Sequence, residues 1–173
     1  MYKKIAITNR HLCKQGLVGK VKQLVAQGID QIIVREKDLS EAEYEKLVVE
    51  LLALCENTKT ECVLHTFIDV ARRLGERKIH LPLFVALRHK EKLSDFDVIG
   101  ISVHSKEEAV LAQDLGAKYL IAGHIFTTDC KKDVPARGLE FLKQVCESVS
   151  IPVYAIGGIT DDNITSVLHA GAS

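Results

Sequence analysis

The chain alternates, from end to end, between short apolar β-branched runs and segments with helical periodicity. The runs fall at 5–8, 31–34, 62–65, 78–81, 98–101, 119–122 and 152–156. They are too apolar for a sheet with one wet face, so they read as parallel strands buried on both sides. Parallel neighbours need long crossovers, and the intervening segments have the pattern to supply them as helices.

Those segments carry their own start and stop signals. Val18, Val21, Leu24 and Val25 recur at helical spacing, and Gly28 closes that run. Ser40 with Glu43 forms a capping box, and Ser105 with Glu108 repeats it ahead of a helix that Gly116 stops. Thr160-Asp161-Asp162 opens a last helix, which Gly171 closes. Strand and helix repeated seven times leaves an open doubly wound sheet or a closed barrel. Even spacing, the lack of an early Gly-x-Gly-x-x-Gly turn, and polar residues gathered after most strands favour the barrel. The expectation is an α/β fold, a TIM (β/α)8 barrel with the eighth βα unit absent. It forms one domain over 1–173, C-terminally incomplete with seven βα units visible.

Composition narrows the function classes. The 23 basic and 23 acidic side chains cancel, so no global field points to nucleic acid or a membrane surface. The N-terminus reads as neither a signal peptide nor a membrane span. Five cysteines, an odd set without a CxxC pair, suit reduced thiols in a cytoplasmic protein better than disulfides or structural zinc.

In barrels of this kind the chemistry sits after the strands. Run 2 ends in Arg35-Glu36-Lys37-Asp38, placing two cations at a strand end, where anion binding is favoured over a solvated charge string. The seventh run leads into Gly157-Gly158 and a helix start, a backbone suited to phosphate. Ser102-Val103-His104 follows run 5, and Gly123-His124 follows run 6. His124 stands out because a hydroxyl- and lysine-bearing loop comes directly after it, and imidazole titrates near neutral pH. His11, His89 and His169 read as surface residues, and His80 as either core or lumen.

These motifs, in this order and spacing, resemble the thiamine phosphate synthase superfamily over essentially the whole chain. Within it, the 123–132 loop is similar to the TenI branch, the thiazole tautomerases. Synthases typically carry a proline where His124 stands, followed by a Thr-x-Thr-Lys run. They also hold magnesium with an Asn-Asp pair after strand 3 and an Asp shortly after the His-Leu of strand 4. Here those places hold His65-Thr66 and Val85, and Asp69 does not match the motif. Hard oxygen ligands are thus missing on both sides.

The resemblance therefore implies an isomerase of thiamine biosynthesis that aromatises a carboxythiazole ylidene ethyl phosphate by metal-free proton transfer. No cofactor and no metal ligand is expected. His124 is the implied catalytic acid/base. Arg35, Lys37 and the loop residues Thr128, Asp129, Cys130 and Lys131 would hold the carboxylate and ring. Ser102 matches a ligand-contacting position, and Gly157 and Gly158 would cradle phosphate. Two alternatives stand beside this reading. One is a thiamine phosphate synthase with an altered metal site; the other is a non-catalytic regulatory protein. The expected partner is a small-molecule thiazole phosphate, not nucleic acid or membrane, and a homodimer is left open.

Overall fold

The computed structural model describes residues 2–128 and 134–173. They form two compact units, Met1–His80 with Asp95–Asp97, and Leu81–Ser94 with Val98–Ser173.

In the first unit, β1 (Ile5–Ile7), β2 (Gln31–Val34), β3 (Glu61–His65) and β4 (Lys78–Pro82, whose last two residues belong to the second unit) are neighbours in chain order. All their pairings are parallel. Partners in a parallel ladder share a face, so register sorts the side chains into rows. Ile7, Ile33 and Val63 form one row. His65 pairs with His80, and Arg35, one residue past the Val34–Leu64 pair, is level with His65.

Helices α1 (Leu17–Ala26), α2 (Glu41–Cys55) and α3 (Ile68–Arg73) connect these strands. The Ser40 capping box forms as the sequence predicts, with Glu43 reaching back to the Ser40 N–H at 2.9 Å. Gly28 stands at φ +73°, a conformation that only glycine adopts without strain, and the chain turns there. α2 buries Tyr44, Val48 and Leu51 completely. A 3-10 turn at Arg10–Leu12, which the sequence pattern did not predict, follows β1.

The second unit contains α4 (Leu83–Arg88), β5 (Val98–Val103), α5 (Lys106–Asp114), β6 (Tyr119–Gly123), α6 (Gly138–Ser148), β7 (Val153–Ile156) and α7 (Ile164–His169). Its three strands are again parallel and adjacent in chain order. Two helix starts differ from expectation. The Ser105 hydroxyl accepts from the Glu108 N–H at 3.1 Å, but the Glu108 carboxylate takes the His104 N–H instead of completing the box. α7 begins at Ile164 rather than after Thr160. Asn163 explains the delay: its side chain accepts from the Thr160 N–H and donates to the Gly158 carbonyl, holding 158–163 as a turn.

Among the described residues, no helix is long and apolar enough to cross a membrane.

Candidate active site

The charged run after β2 does not sit loose. Glu36, only 3% exposed, accepts hydrogen bonds from the Arg10 backbone N–H and guanidinium at 3.0 and 3.2 Å. The same guanidinium meets both oxygens of Asp38 at 2.6 and 2.5 Å, and His11 Nε2 lies 3.0 Å from that carboxylate. Hydrogen bonds from Arg10 and His11 hold the Asp38 carboxyl well below the usual carboxylate range. Both acids of the run are therefore turned onto Arg10. Sequence reasoning missed Arg10, which lies 26 residues before Glu36, outside any local motif.

Arg35 occupies a different position. Its backbone N–H donates to the Thr8 hydroxyl at 2.9 Å, which fixes the chain where it leaves β2. Level with it, the rings of His65 and His80 stack with centroids 5.6 Å apart. His80 is fully buried and His65 is 4% exposed. Burial pushes His65 down to about 2, and His80, Arg35 and Lys37 add electrostatic pressure in the same direction. Burial alone brings His80 to about 3. Both imidazoles are neutral at pH 7.

The next residue carries unusual backbone. Thr66 stands at φ +68°, a region where asparagine and aspartate are at home and a β-branched residue is an outlier. The turn holds because the Thr66 N–H donates to the His80 carbonyl at 3.1 Å. Its hydroxyl lies 2.6 Å from His65 Nδ1. Behind them, the Tyr44 hydroxyl donates to the Val34 carbonyl and accepts from the His65 N–H. Arg35, Lys37, His65, Thr66 and His80 thus gather at one end of the first unit's strands. A separate cleft of about 550 Å³ beside β1 is lined by Thr8, Asn9, Leu12, Leu17 and Val21, among others. It includes none of the predicted site residues.

In the second unit, His124 is 3% exposed. Its Nε2 lies 3.0 Å from the Val134 carbonyl, which can only accept, so Nε2 carries the proton. Nδ1 is buried and has no hydrogen-bond partner among the described residues. Gly157 and Gly158 have φ of +104° and +65° and lie directly against the segment after β6. A Cβ on Gly157 would overlap the His124 Cβ, and one on Gly158 would stand 2.5 Å from the Thr127 carbonyl oxygen. The Phe126 N–H donates to the Gly157 carbonyl at 2.9 Å. His104 Nδ1 pairs with Glu108 at 3.2 Å, and the Arg137 guanidinium donates to the His104 carbonyl at 2.9 Å. Ser102 is the fifth residue of β5, and Thr128 ends the described part of the loop. Asp129, Cys130 and Lys131 lie outside the described residues.

The donor set does not fit magnesium, which requires near-octahedral oxygen ligands. After β3 stand a neutral imidazole and a hydroxyl. β4 ends in Pro82 and the apolar start of α4 follows, with Val85 buried. Asp69 on α3 pairs with Arg72 at 3.5 Å. Among the described residues, no three His, Cys, Asp or Glu side chains converge as a metal site.

The family model described as thiamine monophosphate synthase matches residues 5–173. The chain belongs to the thiamine monophosphate synthase family. It is 33% identical to the thiamine-phosphate synthase of Clostridium acetobutylicum, a match covering 98% of this chain and 82% of that enzyme. The Clostridium botulinum thiamine-phosphate synthase is 35% identical over 98% of this chain and 85% of its own length. The solved thiamine phosphate pyrophosphorylase from Pyrococcus furiosus superposes with a TM-score of 0.82 at 32% identity, over 98% of this chain and 82% of that one. The seven parallel strands with helices between them are therefore of the TIM-barrel class expected from the sequence.

The expected activity is corrected by the same comparisons. Relatives over nearly the full chain are named synthases, so the tautomerase reading gives way to the synthase alternative. That reading leaned on the 123–132 loop and on the missing magnesium ligands at His65-Thr66 and Val85, whereas the family likeness spans 5–173.

Proposed function

We propose that this family member is a transferase of the thiamine-phosphate synthase type, with a strand-end site unlike the family's usual metal site. In this reaction the ring nitrogen of a thiazole phosphate bonds to the exocyclic methylene of a pyrimidine diphosphate. The methylene–oxygen bond breaks, and the electron pair leaves with diphosphate. Identity of 33–35% across 98% of the chain to proteins named for this synthesis carries the proposal.

The reaction makes one demand that the first unit can meet. Negative charge grows on the departing diphosphate, and preorganised cations stabilise such charge most when they need not reorganise. Arg35 is anchored through its backbone at Thr8, and Glu36 and Asp38 are turned onto Arg10 rather than toward the His65–His80 row. Arg35 and Lys37 are assigned the diphosphate, with the Thr66 hydroxyl as a neutral partner. Ser102, Thr128, Gly157 and Gly158 keep the role of contacting the thiazole phosphate, as proposed from sequence. His124 has no proton to move in this coupling. Its Nε2–H holds the return of the loop at Val134, so it is assigned as a positioning residue.

The test is direct incubation of the protein with the pyrimidine diphosphate and the thiazole phosphate. Stoichiometric thiamine phosphate and diphosphate are expected. Absence of both products, with and without added magnesium, overturns the proposal.

A further inference from the structure

We propose that the strand-end site of the first unit, Arg35, Lys37 and Thr66 backed by the buried His65 and His80, binds a diphosphate anion without a divalent cation. The inference rests on the synthase reading only for the identity of the anion. The metal independence rests on the row itself.

Four observations carry it. Two basic side chains stand at the end of β2, and register sets Arg35 level with the two histidines. The two carboxylates of the same run are hydrogen bonded to Arg10. The remaining groups are two buried imidazoles and a hydroxyl, none of them anionic, so nothing in the row repels phosphate oxygens. Finally, Thr66 stands at φ +68°, a backbone conformation natural to aspartate, while its side chain is a hydroxyl. A site without anionic ligands and with two basic side chains beside it favours the bare anion over its magnesium complex.

The experiment is titration calorimetry of the whole protein with inorganic diphosphate, in EDTA and again with excess magnesium. Binding in EDTA, as tight as or tighter than with magnesium, is the expected result. Binding that appears only with magnesium, or strengthens tenfold or more with it, overturns the proposal. R35Q/K37Q is expected to weaken metal-free binding at least tenfold; undiminished binding in that variant also overturns it. A second variant guards against a folding defect in the first. H65N/T66D places a carboxylate in the row at a backbone suited to it. It is expected to lose metal-free affinity at least tenfold and to regain it with magnesium, and binding indifferent to the change counts against the proposal. These readouts are separate from coupling turnover. A protein that binds diphosphate in EDTA but forms no thiamine phosphate leaves this inference standing while removing the synthase reading.

Discussion

Tyr44 lies 21 residues before His65, yet its hydroxyl joins two strand ends by donating to the Val34 carbonyl and accepting from the His65 N–H. The side chain is fully buried and stacks on Phe67 with centroids 4.2 Å apart. Y44F removes the hydroxyl and strands a buried N–H, which costs about 2 kcal/mol. Urea denaturation should show this as a lower midpoint with an unchanged slope; an unchanged midpoint contradicts the assignment. Gly157 is equally constrained. G157A forces an alanine to φ +104° and drives its Cβ to 2.8 Å from the His124 Cα. A loss of roughly 2 kcal/mol or more is expected from strain and overlap together, read in the same denaturation experiment. Residue-scale chemistry was legible only where it was local. Arg35 and Lys37 stand in one four-residue run at the end of an apolar stretch, so the sequence showed them. Arg10 was invisible because nothing within its own window marks it as the partner of Glu36 and Asp38. His65 and His80 hid for another reason: each alone looks like an ordinary strand residue, and only register makes them a pair.

At the scale of the elements, the β3–β4 pairing gives the first unit a particular acid sensitivity. An imidazole in the unfolded chain titrates near ~6.5, whereas folded His65 and His80 titrate at about 2 and about 3. Between those limits the unfolded state binds the protons and the folded state does not. Stability is therefore complete above about pH 6.5 and falls as pH drops toward 3, by about 1.4 kcal/mol per pH unit for each histidine. Glu61, at the other end of β3, is held below its ordinary 4.5 because hydrogen bonds from Lys78 and Lys3 outweigh its burial. Its contribution is lost only at lower pH, and Glu76, raised above 4.5 by burial, acts in the opposite direction, so the comparison with a variant isolates the histidine share. Urea midpoints measured from about pH 6.5 down to about pH 5 should fall in the wild type and fall less steeply in H80L; parallel slopes contradict this account. Capping offers a second check at this scale. S40A removes the hydroxyl that starts α2 and should cost about 1 kcal/mol. The Ser40 device was readable because all its parts lie within four residues. The start of α7 was not, because Asn163 holds the preceding turn through Gly158 and Thr160, an interaction the helical pattern does not encode.

For the whole molecule, the repeat of apolar runs narrowed the fold to parallel strands in an open sheet or a barrel, and their even spacing with polar residues after most strands favoured the barrel. Activity was harder to read. The His124 loop and the missing magnesium ligands both pointed toward proton transfer, but they weigh less than a likeness that runs from 5 to 173. What the local departures do specify is how this family member handles charge, with Arg35 and Lys37 beside neutral His65, Thr66 and His80. The measurement that tests this most directly is the initial rate of thiamine phosphate formation from the two substrates, in EDTA and in excess magnesium. Product is expected in both, with the rate in EDTA at least equal to that with magnesium. A rate that vanishes in EDTA and returns with magnesium contradicts it.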